Sequence, residues 1–305
     1  MKICTHISIL LLLACHTLNA EESEYMSVEE MLKSGKQWIS ENVSQELVSR
    51  AESTDPETVR QFWRQLQTRF QGEHIIDLAP LKNNARLILA FLEQVKDAQP
   101  YAVWLNTRMD YFEVANELRF TIPPPRPSQP RNRTAPSAAT QRNVWRKQIE
   151  NEPLSVGAKH YATKLKPIFV SVGISPELIW LAEVESSFNP SARSPSGAAG
   201  MFQFMPATAR QYGMSTSPVD ERLQPEKSAR AAARYLKYLH KRFGTWPLAL
   251  AAYNAGEGKV SRTLKKHNGK SFADIASFLP AETQLYVPKI EAILMKREGV
   301  ELQDI

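Results

Sequence analysis

Proline and glycine punctuate the second half of this chain in the order that bounds helices. Pro206 and Gly213, Pro225 and Gly244, and Pro247 and Gly256 each open and close a segment with helical apolar spacing. Proline fits the first helical turn, where its missing N–H is not needed, and glycine takes the left-handed position past the last turn. Such punctuation, with no convincing alternation of period two anywhere, restricts the chain to a mainly α fold. The first half agrees. VEEMLKSGKQWISENV, PETVRQFWRQLQTRFQG, LKNNARLILAFLEQV and YAVWLNTRMDYFEVANELRF place apolar residues three and four apart, and Thr54-Asp55-Pro56-Glu57 supplies a helix start. RNVWRKQIENEP and YATKLKPIFVSVG continue the pattern, and Ser175-Pro176-Glu177 opens ELIWLAEVESSF, which is apolar nearly all round and belongs in a core.

Between these halves lies IPPPRPSQPRNRTAPS, whose proline density blocks both helix and strand and gives an extended linker. Four segments follow: 1–20, a secretory signal; 21–120, a helical N-terminal region of packing helices; 121–140, the Pro-rich linker; and 141–305, the domain that carries the chemistry. The signal rests on MKICTHISILLLLACHTLNA, with an early Lys2, a short apolar run and cleavage expected after Ala20. Leu12-Leu13-Ala14-Cys15 also resembles a lipobox, which would lipidate Cys15; both routes export the protein. Cleavage after Ala20 removes both cysteines, Cys4 and Cys15, so neither a disulfide nor a thiolate metal site is expected.

The net charge of +6 suits an anionic partner without choosing one. Nucleic acid is disfavoured, because the basic residues are spread along helices and not clustered among aromatics. The six histidines are scattered without ligand spacing, so no metal and no cofactor are expected.

The chemistry points to Glu185. Glu183 and Glu185 are two apart, about 200° on a helix, so a single site cannot use both. After Glu185 the next carboxylate in sequence is Asp220. A carboxyl buried at a helix end among Trp180, Leu181 and Phe188 has its pKa raised and can donate a proton to a leaving oxygen. Glycoside hydrolysis ordinarily uses a second carboxylate; a single acid must take its nucleophile from the substrate. The loop after it supplies Ser194, Ser196 and Gln203 for sugar hydroxyls and amides, Gly197 and Gly200 for close backbone approach, and Phe202, Phe204 and Met205 for an apolar wall. On the residues alone, each of these also has a purely structural reading, Phe202 as core above all.

Glu185-Ser186-Ser187-Phe188-Asn189-Pro190, with Ser194, Gly197-Ala198, Gly200-Met201-Phe202-Gln203 and Met205-Pro206-Ala207-Thr208-Ala209, resembles the lytic transglycosylase SLT domain. Ala252-Tyr253-Asn254-Ala255-Gly256 is similar to its second motif and Glu282-Thr283-Gln284-Leu285-Tyr286-Val287 to its third. WLAEVESSFNP and WPLALAAYNAGEGKV resemble the membrane-bound transglycosylase D branch, here without the LysM modules that often follow. The resemblance spans about Ser155 to Ile293. It implies a goose-type, lysozyme-like fold and cleavage of the β-1,4 bond between N-acetylmuramic acid and N-acetylglucosamine without water, leaving 1,6-anhydromuramic ends. By the same resemblance Glu185 is acid and then base, Ser194 and Gln203 hold the muramic sugar, and Met205 lines the cleft. Tyr253 orients Glu185, Asn254 supports the site, and Glu282 and Tyr286 contact or support substrate. The implied partners are peptidoglycan glycan strands, with a monomer in the periplasm of a Gram-negative bacterium and attachment to the outer membrane left open. Phe202 and Phe204 depart from the smaller aliphatic residues common there. A water-using hydrolase and a non-catalytic peptidoglycan scaffold stand as the competing readings.

Overall fold

The computed structural model of the chain describes residues 66–94, 99–121 and 136–305. The signal and lipobox, the helix read at VEEMLKSGKQWISENV and nearly all of the linker lie outside these residues. Residues 66–71 are helical, and the helices that follow are α1 (Lys82–Gln94), α2 (Gln99–Asn106), α3 (Met109–Leu118), α4 (Ala138–Ile149), α5 (Val156–Val172), α6 (Leu181–Ser186), α7 (Pro206–Gln211), α8 (Pro225–Phe243), α9 (Trp246–Ala255), α10 (Glu257–His267), α11 (Phe272–Ile275) and α12 (Ala281–Glu298). Among the described residues there is no β-strand, only isolated bridges from Ala199 to Arg193 and Phe204. The fold class is mainly α, as the punctuation implies. No helix among the described residues is long and apolar enough to cross a membrane.

The expected helix starts and stops are the observed ones for α8, and within a residue for α7 and α9. α4 starts at Ala138, capped by the Ser137 hydroxyl, inside the stretch read as linker. α5 is capped by Ser155 and closed by Gly173 at φ +80, and it absorbs PIFVSV as helix, with Pro167 inside it. YAVWLNTRMDYFEVANELRF is not one helix. It breaks at Thr107-Arg108, where the Thr107 hydroxyl donates to Trp104 O at 2.9 Å and Arg108 sits at φ −112, ψ 0.

α12 lies at the centre of the core, with Leu285, Tyr286, Val287, Ile290, Ile293 and Leu294 all buried. Residues on successive faces of one helix are covered only when other helices surround it. α4, α9, α6 and the 3₁₀ turns Ile75–Leu81 and Pro176–Trp180 do so. α8 packs its alanine face, Ala229, Ala232 and Ala233, with Leu236 and Leu239, toward α5 and α9. The described part of the N-terminal region joins the same core. Phe70 packs on Trp104, Tyr111 and Phe112, and Tyr111 meets Trp145 of α4 edge-on at 5.6 Å between centroids. Backbone bonds tie it down: Ala281 N–H to Gly72 O at 2.6 Å, and Arg193 N–H to Pro100 O at 3.1 Å.

Candidate active site

α6 carries Glu185 one residue from its end. The helix is preceded by the Pro176–Trp180 turn, held in the core by Leu178, Ile179 and Trp180. It stops because Ser187 and Phe188 both take positive φ, +52 and +60, which lets Ser187 N–H bond Glu183 O and Phe188 N–H bond Ala182 O, each at 3.0 Å. This paired closure turns the chain out of the helix without a glycine. Non-glycine residues resist this region, so the surroundings must hold the turn. They do: Ser155 Oγ donates to Ser187 O at 3.1 Å, and Gly157 of α5 lies so close that a Cβ there would meet Ser187 O at 2.6 Å. Ser186 Oγ donates to Met201 O at 2.8 Å and accepts from Asn189 N–H, fastening the loop to α6.

The loop itself is built around Arg222. Its guanidinium donates to Gly197 O at 2.8 Å and Phe204 O at 2.9 Å, and pairs in bidentate fashion with Asp220 at 2.8 Å on both oxygens. Gly200, at φ +81, presses on this residue: a Cβ would lie 1.9 Å from Arg222 O. The close approach expected of Gly200 is therefore to the protein's own backbone.

Glu185 is 4% exposed. Its Oε1 accepts from the Tyr286 hydroxyl at 2.5 Å, and its Oε2 lies 3.8 Å from Arg108 Nη2. Burial raises its pKa from the ordinary carboxylate range to about 7, against the pull of Arg108 and the Tyr286 bond and with the help of Glu282. Desolvation outweighing the nearby cation is the balance a proton donor needs at neutral pH. Burial also lifts the Tyr286 phenol well above its usual range, so it stays a neutral donor. Glu183 points the other way, paired with Arg297 at 2.6 and 3.2 Å, as the two-residue spacing requires.

The other expected site residues fall as follows. Ser194 is buried, and its Oγ accepts from Ala198 N–H at 2.9 Å. Gln203, at φ +48, donates through Nε2 to Ala192 O and Gly200 O, while its Oε1 is buried without a partner. Met205 is 44% exposed. Tyr253 directs its hydroxyl to Phe202 O at 2.8 Å, so the phenol that bonds Glu185 is Tyr286. Asn254 Oδ1 accepts from Thr283 at 2.6 Å. Glu282 joins Arg108 Nε at 3.0 Å and is thereby coupled to Glu185. Phe202 and Phe204 are buried, Phe202 against Phe169 and Phe204 against Tyr253, so they form core beneath the loop and not an exposed wall.

Two residues at this site carried no signal in the sequence. Arg108 sits inside a helical pattern that gives no hint of the break. Lys289 donates to Thr107 O at 2.7 Å and pairs with Asp110 at 2.5 Å, over the rings of Tyr111 and Trp145. A separate groove of about 860 Å³ opens among Arg142, His240, Trp246, Phe272 and Glu291. None of the expected site residues lines it, so its size does not compete with the chemistry at Glu185.

Residues 172–276 match the family model described as the transglycosylase SLT domain. The membrane-bound lytic murein transglycosylase D of Escherichia coli (strain K12) is 43% identical over 135 residues, 41% of this chain and 30% of that protein. A putative tributyltin chloride resistance protein of an Alteromonas species is 40% identical over 109 residues, 35% of this chain and 53% of that one. The soluble lytic murein transglycosylase of Salmonella typhimurium is 37% identical over 120 residues, 37% of this chain and 19% of that one. The matches thus cover between 19% and 53% of these relatives. An X-ray structure of an inactive mutant of lytic transglycosylase Slt from Pseudomonas aeruginosa superposes with a TM-score of 0.42 at 16% identity, over 97% of this chain and 67% of that one. The family match contains the first two motifs read in the sequence, and the similarity to the transglycosylase D branch, expected from WLAEVESSFNP and WPLALAAYNAGEGKV, is among these matches. Arg108, Glu282 and Tyr286 all lie outside the matched segment 172–276.

Proposed function

We propose that this chain is a peptidoglycan lytic transglycosylase, cleaving the β-1,4 bond between N-acetylmuramic acid and N-acetylglucosamine with Glu185 as its single acid and base. The observation that carries the reading is a buried carboxyl, lifted to about 7, with one oxygen held by a neutral phenol and the other not. Such a group is protonated in a large fraction of molecules at neutral pH and loses its proton without a large driving force. The named relatives and the SLT domain match support the substrate class.

In the reaction, Glu185 Oε2 gives its proton to the glycosidic oxygen as the bond to C1 of the muramic sugar breaks. The C6 hydroxyl oxygen of the same sugar then bonds C1, and its proton passes to the Glu185 carboxylate. Glu185 ends protonated as it began, no water is consumed, and the products are a 1,6-anhydro end and a free 4-hydroxyl. Tyr286 holds Oε1 so that Oε2 is the transferring oxygen. Gln203 Oε1, an unpaired buried acceptor, suits the N–H of an N-acetyl group, and the Ser194 hydroxyl suits a sugar or acetamido oxygen. Met205 offers its exposed side chain to the sugar face. Tyr253 and Asn254 support the loop and α12 respectively, and the +6 charge is compatible with an acidic wall polymer. The place of action under this reading is the periplasm.

Glu282 gives the hydrolase reading its one specific support, since a second carboxylate does stand near Glu185. Its Oε1 is bound to Arg108, which suits an anchor better than a base for water. Mass spectrometry of soluble fragments from purified peptidoglycan separates the two. We expect anhydro ends, lighter than reducing ends by one water, from the wild type, and no fragments from Glu185→Gln. Reducing ends would make the protein a hydrolase, and no fragments from the wild type would favour a scaffold.

A further inference from the structure

Arg108 lies far before the SLT match, on the turn between α2 and α3, and it is 5% exposed. Its own turn holds it: Nη1 donates to Trp104 O at 3.3 Å and to Thr107 Oγ1 at 3.0 Å, and the guanidinium lies 4.6 Å from the centre of the Trp104 ring. The other nitrogens reach two carboxylates on two different elements, Nε to Glu282 of α12 at 3.0 Å and Nη2 toward Glu185 of α6 at 3.8 Å. Burial disfavours its charge, but Glu282 and Glu185 together keep it firmly protonated.

We propose that Arg108 is a positioning residue for Glu185: it anchors Glu282 and presents a fixed cation to the oxygen of Glu185 that exchanges the proton, which makes the N-terminal region part of the catalytic unit. The proposal deepens the acid–base reading of Glu185 and rests on it. The division of labour follows from the distances. A close bidentate pair, of the geometry Arg222 makes with Asp220, would favour the carboxylate form of Glu185 and leave it unfit to donate. Glu282 occupies the short bond instead, and Glu185 keeps the longer one. When Glu185 gives up its proton away from water, the cation that steadies the new carboxylate is already in place. The other groups facing Glu185 do not replace it. Tyr286 of α12, Tyr253 of α9 and Tyr111 of α3 are phenols that burial keeps neutral, and Lys289 of α12 is committed to Asp110.

The test is an NMR titration of the full chain labelled with ¹³C at the glutamate carboxyls, the Glu185 signal being assigned by its loss in Glu185→Gln. In Arg108→Gln the Glu185 midpoint rises by about one pH unit or more, in Arg108→Lys it moves by less than about half a unit, and in Glu282→Gln it falls. Release of anhydro-ended fragments by Arg108→Gln drops about 10- to 100-fold in kcat, with KM nearly unchanged, and Arg108→Lys recovers most of it. A purely structural Arg108 would leave the Glu185 midpoint in place in Arg108→Gln, whereas the fall in Glu282→Gln reports the Glu282 charge. A midpoint unchanged in Arg108→Gln overturns the proposal. If that variant does not fold, Glu282→Gln decides: a lowered midpoint supports the proposal and an unchanged one overturns it. The fragment assay on the wild type is separate, so failure of the transglycosylase reading is seen independently of the titration.

Discussion

At pH 8 the Glu185 carboxyl carries a charge that its surroundings disfavour. Its folded pKa of about 7 lies above the unfolded value near 4.5, so the fold prefers the protonated form. The cost is absent below the unfolded pKa, grows between the two values and is complete above the folded one; the shift corresponds to about 3 kcal/mol at most. Glu185→Gln mimics the protonated acid, so we expect it to raise the melting temperature by several degrees at pH 8 and by little at pH 4, while abolishing activity. Calorimetry at the two pH values checks this; equal gains at both would mean that Glu185 is not strained by its charge. Tyr286→Phe removes the hydroxyl that favours the carboxylate. Glu185 then titrates higher, and the alkaline limb of the activity profile moves up while the maximal rate falls, by about 10- to 100-fold. An alkaline limb that moves down would contradict the geometry. Much of this residue-scale picture was legible: the two-residue spacing separates Glu183 from Glu185, and the loop residues fall beside α6. The hydroxyl partner was not, because Tyr286 and Glu185 are 101 residues apart and only the placement of α12 brings that phenol, and not Tyr253, to Oε1.

Among the elements, α5 guards the turn that ends α6. Gly157 faces Ser187 and Phe188 so closely that a methyl group would meet Ser187 O at 2.6 Å and Phe188 O at 2.8 Å. Both contacts are backbone and must shift. We expect Gly157→Ala to displace Glu185 and lower kcat by about tenfold or more, with a stability loss of about 1–3 kcal/mol. Fragment-release kinetics beside urea unfolding test whether the rate suffers beyond what the unfolded fraction explains. Arg222 does the same service for the loop from within. Arg222→Met leaves Gly197 O, Phe204 O and the Asp220 carboxylate without its bonds, a change that costs about 3–5 kcal/mol. Helices with proline and glycine at their ends, such as α8, were read correctly because the punctuation is local chemistry. α12 was noted only as a motif and not as a helix. Covered on nearly every face, it has no amphipathic period for the sequence to display. The α2–α3 break was missed for the opposite reason: apolar spacing runs straight through Thr107-Arg108, and tertiary bonds interrupt it.

In the whole molecule, the described N-terminal helices share one core with the helices of the second half and are joined to α12 by buried charge. The joint is Lys289 of α12, which donates to Thr107 O and pairs with Asp110 while lying against Tyr111 and Trp145. Burial pushes the Asp110 carboxyl above its ordinary range, and Lys289 opposes that rise. Without the lysine, the folded state must either hold an unpaired charge or bind a proton there. Lys289→Met is therefore expected to lose about 3–5 kcal/mol at pH 7. Asp110 then titrates still higher in the folded variant than in the unfolded chain, so the loss appears above the unfolded carboxylate range and shrinks as pH falls toward 4. Because Thr107 adjoins Arg108, the same substitution loosens the turn that faces Glu185, and activity falls further than stability alone accounts for. Urea unfolding at pH 7 and pH 4, followed by tryptophan fluorescence and by far-UV circular dichroism, tests both parts. Coincident transitions with a pH-dependent loss support a single unit bound through this pair. Two separated transitions, or a loss equal at both pH values, would mean that the N-terminal helices fold apart from the catalytic half and that the Lys289–Asp110 contact does not couple them.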